Sequence, residues 1–221
     1  MSRTRSKFGY ALAAGVLASA ALGSPSSALA QARPQITPYF ASFYAISPYV
    51  KDLDEGSGTL FNEKETNAPA IGVRVSFGIT RAIGIEGSIA YANAGRQASI
   101  SHDSSTVQAG FFIKGNLLMA SGRLTFHPRR SNFRGIVGVG YEKRGGAAWD
   151  TKNFTAGTKF DKSDIGGILG FGVKASVTPK FALDLDIEAF LHSSDPLLTG
   201  KSQFQQDILV AIGVPISLSG H

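Results

Sequence analysis

Alternation of apolar and polar residues with a period of two is the feature of this sequence that most constrains its fold, and it recurs in segments of about ten residues. The clearest segment runs from Phe181 to His192. Its apolar phase contains Leu183, Leu185, Ile187, Ala189 and Leu191. Its other phase contains Asp184, Asp186, Glu188 and His192, with Phe190 as an apolar member. Because successive side chains of a strand point to opposite faces, this segment predicts a strand with one apolar and one charged face.

Seven further segments show the same alternation, at 38–49, 73–78, 83–92, 110–126, 137–142, 165–177 and 208–218. The segment 110–126 requires a bulge or a change of phase near Asn116, because Lys114 and Arg123 fall in opposite phases. The only long apolar run is 10–22, and the mean hydropathy of the chain is +0.04. These observations predict eight strands and exclude a helical membrane protein.

The connections between these segments alternate strictly between short and long. The short ones are 80–82, 127–132 and 178–180, and the long polar ones are 51–68, 93–109, 145–163 and 193–203. A soluble β-barrel or β-sandwich does not require this order, whereas an outer-membrane barrel with both termini in the periplasm does. The sequence therefore predicts an all-β fold, an eight-stranded antiparallel up-and-down transmembrane β-barrel with short periplasmic turns and longer extracellular loops.

Residues 1–30 have the three-part layout of a secretory signal peptide: the basic residues Arg3, Arg5 and Lys7, the apolar run, and small residues before a cleavage site after Ala30. A membrane anchor is the alternative, but the run is shorter than the roughly 20 residues that span a bilayer. We therefore expect residues 31–221 to form one barrel domain. Without the three basic residues the formal net charge falls from +6 to +3, so the charge gives no ground for nucleic-acid binding.

The phase opposite the apolar one carries charges of both signs, which we expect to line the lumen. Its members are Arg74, Glu86, Arg123, Glu142, Arg144, Lys174, Asp184, Asp186 and Glu188. An eight-stranded barrel has an interior just wide enough for side chains. Because an unpaired charge in such an interior is costly, these residues are predicted to form a paired network.

Aromatic residues occur near both ends of the predicted strands, as expected at the two lipid–water interfaces of a membrane barrel. Phe77, Phe126, Phe133 and Phe181 flank the short turns, while Tyr91 and Tyr141 lie toward the long connections. Aromatic core residues of a β-sandwich are the alternative interpretation.

The leader, the strands Gly138-Val139-Gly140 and Gly170-Phe171-Gly172, and the closing strand 207–218 resemble the eight-stranded outer-membrane β-barrel family. This family includes the transmembrane domain of OmpA and the OmpX- and OmpW-type barrels of the porin family. The resemblance implies export through the Sec pathway to a bacterial outer membrane. It also implies contact with outer-membrane lipids, lipopolysaccharide and the barrel-assembly machinery. We further expect a monomer and, from the charge, no nucleic-acid partner.

The resemblance to OmpA further implies a non-enzymatic role in envelope integrity or surface interaction, with the lumen plugged by the charge network. A narrow pore for small or apolar solutes is one alternative. A second is an enzyme that modifies lipid A, because the spacing of His192 and Ser194 resembles the nucleophile region of lipid A deacylase barrels, and Asp207 would supply a carboxylate. The chain contains no cysteine and its four histidines are scattered, so neither a metal site nor a cofactor is expected.

Overall fold

The computed structural model describes residues 34–48, 50–54, 59–80, 82–102, 111–128, 131–149, 163–178, 181–194 and 203–218. The strands are β1 (Gln35–Ala45), β2 (Val50–Asp54), β3 (Thr59–Glu65), β4 (Ala68–Gly78), β5 (Ile83–Ala92), β6 (Arg96–His102), β7 (Phe111–Ile113), β8 (Asn116–Phe126), β9 (Phe133–Gly145), β10 (Ser163–Thr178), β11 (Phe181–Ser194), β12 (Gln203–Gly213) and β13 (Ile216–Ser217). A short 3-10 helix spans Ala147–Trp149. Among the described residues, no helix has the length and apolar character needed to cross a membrane.

Eight of these strands close into an antiparallel barrel in the order β1-β4-β5-β8-β9-β10-β11-β12. The barrel is closed by β12 and β1, which pair from Tyr39 with Gly213 to Ala45 with Asp207. Chain neighbours within the barrel are also spatial neighbours, so the topology is up-and-down. The fold class predicted from the alternation is therefore confirmed.

Side-chain hydroxyls stabilise two of the short turns. Thr80 Oγ1 accepts hydrogen bonds from the backbone N–H groups of Ala82 and Ile83, at 3.1 and 3.0 Å. Ser131 Oγ accepts one from the N–H of Phe133 at 3.0 Å. Such bonds let threonine and serine fix the chain direction over a few residues, which keeps these connections short.

The two faces of the barrel are the reverse of those in a soluble protein. Val139, Phe171 and Ile187 are 49%, 55% and 40% exposed on the outer face, whereas Arg74 and Asp186 on the inner face are each 2% exposed. In water-soluble domains, charged side chains are rarely buried unless they are paired. Such domains also rarely expose so many large apolar side chains on their surface. This inversion is typical of a barrel whose outer wall lies in lipid.

The first two long connections contain more regular structure than the sequence indicates. Strands β2, β3, β6 and β7, which lie in or beside the long polar connections 51–68 and 93–109, form a second sheet in the order β2-β3-β6-β7. Their polar composition hid the strands, since neither face of this sheet carries an uninterrupted apolar phase. The phase change expected near Asn116 is a break at Lys114 and Gly115, between β7 and β8.

Candidate functional site: two charged layers in the lumen

The half of the lumen next to the short turns contains a layer of buried charges, here named the turn-side cluster. Its members are Arg74, Glu86, Arg123, Arg134, Asp184, Asp186 and Glu188. All carboxylates except Glu86 come from β11, where the period-two alternation places them on one face. The arginines come from β4, β8 and β9, which lie elsewhere around the barrel wall.

The ion pairs of the turn-side cluster cross the lumen. Arg74 bonds to Asp186, although β4 and β11 are separated by β1 and β12. Arg123 bonds to Glu188, although β8 and β11 are separated by β9 and β10. Arg134 adds contacts to Asp184 at 3.2 Å and to Asp186 at 2.7 Å. Side chains from opposite walls therefore meet in the middle of the barrel.

Glu86 completes the turn-side cluster from β5. Its carboxylate lies 3.7 Å from Arg74, 3.4 Å from Arg123 and 3.9 Å from Arg134. Three guanidinium groups thus surround four carboxylates, and every one of these residues is buried. Buried charges of this kind are compatible with a folded interior only when they are paired, which this arrangement achieves.

A second layer of buried charges lies toward the long connections, here named the loop-side cluster, with Arg144 at its centre. Arg144 donates to Glu65 at 3.0 Å, to Glu142 at 2.9 Å and to Asp164. Its Nη2 also lies 3.8 Å from Asp207 Oδ2. The ring of Trp149 also lies 5.6 Å from the guanidinium carbon of Arg144. With Trp149 included, the contacts of Arg144 connect five different secondary-structure elements.

His192 also belongs to the loop-side cluster and is 3% exposed. Its Nε2 lies 3.0 Å from Asp207 Oδ2, and its Nδ1 lies 3.4 Å from Asp164 Oδ2. The imidazole is therefore held between two carboxylates. One donor atom each from Glu142, His192 and Asp207 lie within 4.8 Å of one another, close enough to share a metal ion.

The lumen between the two clusters is mostly apolar. Tyr39, Phe43, Ile168 and Phe190 are buried there, and the Tyr39 hydroxyl lies 2.8 Å from Ser88 Oγ. The cavity that these residues help to line has a volume of about 40 Å³. Because a water molecule needs roughly 10–15 Å³ of such space, this cavity holds a few water molecules at most.

Beyond the turn-side cluster the lumen widens into a polar mouth of about 450 Å³, lined in part by Glu86, His127, Arg134 and Lys174. Burial lowers the pKa of His127 below its usual value, and the nearby Arg134 lowers the pKa further. Lys174 is half-buried at this mouth. Among the described residues, Lys174 is the one member of the predicted charge network that forms no ion pair.

The structure brings the other predicted lumen charges together, but in two clusters and with partners that the prediction omitted. Arg134 and Asp164 were omitted, although extension of the lumen phase by two periods in β9 and by one period in β10 reaches both residues. Glu65 lies in the long polar connection 51–68, yet it is 1% exposed and bonded to Arg144. No sequence signal pointed to Glu65, since β3 belongs to the second sheet.

The predicted interface aromatics all lie on the outer face and are between 38% and 60% exposed: Phe77, Tyr91, Phe126, Phe133, Tyr141 and Phe181. The four phenylalanines stand at the ends of strands next to the short turns. The two tyrosines stand in the halves of β5 and β9 that lead toward the long connections. This distribution is typical of the aromatic girdles of membrane barrels.

Of the residues considered for catalysis, His192 and Asp207 are in contact and Ser194 is at the end of β11, with its side chain outside the described part of the structure. Both His192 and Asp207 face the lumen and are buried.

Comparison with known proteins agrees with this architecture. The family described as outer membrane protein beta-barrel domain matches residues 10–210. No curated protein sequence is similar enough to count as a match. Among solved structures, OprG from Pseudomonas aeruginosa is 13% identical, with a TM-score of 0.52 over 84% of this chain and 97% of that chain.

Two further solved barrels are similar at lower TM-scores. AlkL, determined in lipid bilayers, is 14% identical with a TM-score of 0.49, over 86% of this chain and 92% of that chain. Ail from Yersinia pestis is 15% identical with a TM-score of 0.44, over 84% of this chain and 99% of that chain. Because the family match spans most of the sequence, this chain belongs to the outer membrane protein beta-barrel domain family.

Proposed function

We propose that the protein is a non-enzymatic outer-membrane barrel with a closed lumen, which contributes to envelope integrity or presents its extracellular segments to surface partners. The observation that carries this proposal is the pair of bonds from Arg74 and Arg123 to Asp186 and Glu188, which join opposite walls of the barrel. A lumen crossed by such bonds has no continuous path for a hydrated solute at that level.

The rest of the lumen supports the same proposal. The apolar middle section contains a cavity of only about 40 Å³, far smaller than the 300–1,000 Å³ typical of small-molecule sites. In the loop-side cluster, Arg144 is bonded to surrounding carboxylates and lies 5.6 Å from the ring of the buried Trp149. Passage through the barrel would require both charged layers to come apart, and each contains buried ion pairs that are costly to break.

A narrow pore for small or apolar solutes is less well supported. An apolar solute would have to cross the turn-side cluster, where seven charged side chains are buried around the axis. Desolvated charges next to an apolar molecule lose the hydrogen-bonding partners that make their burial tolerable.

An enzyme acting on lipid A is also less well supported. The substrate would lie in the outer leaflet against the outer wall, whereas His192 and Asp207 face the lumen. The contact between them belongs to the loop-side cluster, where His192 also lies 3.4 Å from Asp164. A general base must reach the proton that it removes, and a buried luminal imidazole does not reach a lipid outside the barrel.

Solute uptake by proteoliposomes tests the closed lumen. Vesicles containing the folded protein are expected to swell in small sugars and amino acids no faster than protein-free vesicles. Swelling at rates typical of an open porin would contradict the proposal. Mass spectrometry of lipid A from expressing cells tests the enzymatic alternative, and unchanged acylation is the expected result.

The cellular context follows from the same proposal. We expect export through the Sec pathway, cleavage after Ala30, folding of residues 31–221 by the barrel-assembly machinery, and a monomer surrounded by outer-membrane lipids and lipopolysaccharide. When cells are fractionated, we expect the folded protein to be extracted from the outer-membrane fraction as one species.

A further inference from the structure

The two charged layers differ in how their described carboxylates are arranged around guanidinium groups. In the turn-side cluster, four carboxylates face Arg74, Arg123 and Arg134, and Lys174 lies at the adjoining mouth. In the loop-side cluster, Glu65, Glu142, Asp164 and Asp207 are buried around a single central guanidinium, that of Arg144. Arg96, which is also buried, is the register partner of Glu65 on β6.

Among the described residues, the loop-side cluster therefore gathers four carboxylates around Arg144, and the imidazole of His192 lies between two of them. An unbalanced buried charge is strongly unfavourable, because desolvation removes the water that would stabilise it. A divalent cation would place further positive charge among these carboxylates.

The donor atoms for such a cation are already gathered. Glu142 on β9, His192 on β11 and Asp207 on β12 each offer one donor atom, and these atoms lie within 4.8 Å of one another. Donors around a tetrahedral zinc ion stand about 3.3 Å apart, given bond lengths of roughly 2.0–2.2 Å. The 3.0 Å between His192 Nε2 and Asp207 Oδ2 is close to this spacing.

The second nitrogen of His192 supports the same interpretation independently. Its Nδ1 lies 3.4 Å from Asp164 Oδ2, on the side away from Asp207. Histidines that bind metals generally direct the other ring nitrogen toward a carboxylate or carbonyl, which fixes the tautomer and the ring orientation. Asp164, which is itself fixed by Arg144, lies at ion-pair distance from Nδ1 and would act as the orienting carboxylate after a small approach.

We propose that Glu142, His192 and Asp207 form a divalent metal site inside the loop-side half of the barrel. One imidazole and two carboxylates are a donor set that suits zinc and related first-row transition metals. The site is structural, because its residues are buried and fasten β9, β11 and β12 to one another. The inference goes beyond the proposed function, since the lumen is closed at the turn-side cluster whether or not a metal is bound.

Zinc binding by the full mature chain tests the proposal. Because the site is buried, tag-free protein is refolded in detergent with zinc chloride, and excess metal is removed with a weak chelator before metal analysis. We expect about one zinc ion per chain, and an X-ray absorption spectrum with one imidazole among nitrogen and oxygen donors. His192→Gln and Asp207→Asn are expected to lose more than tenfold in zinc affinity, and Asp164→Asn roughly 10–100-fold.

His127→Gln is the matched control, because His127 lies at the opposite mouth and outside the proposed site. The control is expected to retain the full zinc content. Wild-type protein without bound zinc, or a His192→Gln variant with unchanged zinc affinity, would overturn the proposal and identify His192 as an imidazolium held by two carboxylates. If a variant does not fold, the X-ray absorption spectrum of the wild type still tests the proposal. A bound zinc ion without an imidazole ligand would contradict the proposed site.

Discussion

Arg134 Nη2 lies 2.7 Å from Asp186 Oδ2, and this contact joins the first turn-side residues of β9 to the middle of β11 across the intervening β10. Asp186 also accepts a hydrogen bond from Arg74 on the opposite wall. One carboxylate therefore links three strands, and its removal tests the energetics of the turn-side cluster.

Asp186→Asn is expected to lower the free energy of unfolding by about 3–5 kcal/mol, because two buried guanidinium groups lose a charged partner. Urea-induced unfolding in lipid vesicles measures the change. Lys143→Gln, on the outer face of β9, is the control for loss of a charge and is expected to have little effect. In a double-mutant cycle, Asp186→Leu with Arg134→Met is predicted to destabilise less than the sum of the two single changes.

Gly172 leaves room for the turn-side cluster. A Cβ atom at this position would overlap the Asp186 carboxylate and the Arg134 side chain, whereas a Cβ atom at Gly167 on the same strand meets nothing within 4 Å. Gly172→Ala is therefore expected to destabilise the barrel by about 1–3 kcal/mol. Gly167→Ala is expected to be neutral or slightly stabilising, since glycine weakens strand interiors. Equal effects of the two substitutions would contradict the described packing.

On the outer wall, the loss of stability caused by an added charge is expected to depend on its depth in the membrane. Ile187 is in the middle of β11, and Ile165 is near the loop-side end of β10. Ile187→Arg is expected to cost about 2–4 kcal/mol, as for a cation near the bilayer midplane, and Ile165→Arg about 0–1 kcal/mol. Unfolding titrations in phospholipid vesicles measure both. A reversed order would place the hydrocarbon band elsewhere on the barrel.

His127 predicts a component of the pH dependence of stability. Its pKa in the folded barrel is lowered from 6.5 by burial and by Arg134. The unfolded chain therefore binds a proton at a pH where the folded barrel does not, so stability falls as the pH decreases through 6.5 toward the folded pKa. His127→Gln removes this contribution, and its stability is expected to fall less than that of the wild type between about pH 7.5 and pH 5. The same slope in both proteins would contradict the assignment.

The alternation along β11 predicts that Asp184, Asp186 and Glu188 face the lumen, because successive side chains of a strand point to opposite faces. The same rule covers Arg134 and Asp164 once the strand ends are known. Strand ends are the least reliable part of a sequence-based assignment, and these two residues lie near them.

The sequence alone does not predict which of these charges pair with one another. The contact of His192 with Asp207 depends on the register of β11 and β12, which pairs His192 with Gln205 and Phe190 with Asp207. Alternation alone fixes the face of each residue but not this register. Glu65 reaches Arg144 only because a second sheet, formed from the first two long connections, positions β3 above the barrel.

Single-channel recording in planar bilayers tests the closed lumen most directly. The folded wild-type protein is predicted to show no stable ion conductance, because the bonds of Arg74 and Arg123 to Asp186 and Glu188 cross the lumen. A variant that combines Arg74→Ala, Arg123→Ala, Asp186→Ala and Glu188→Ala with Arg144→Ala disrupts both charged layers and is predicted to conduct. Stable, long-lived conductance by the wild type, at the level of that variant, would contradict the account.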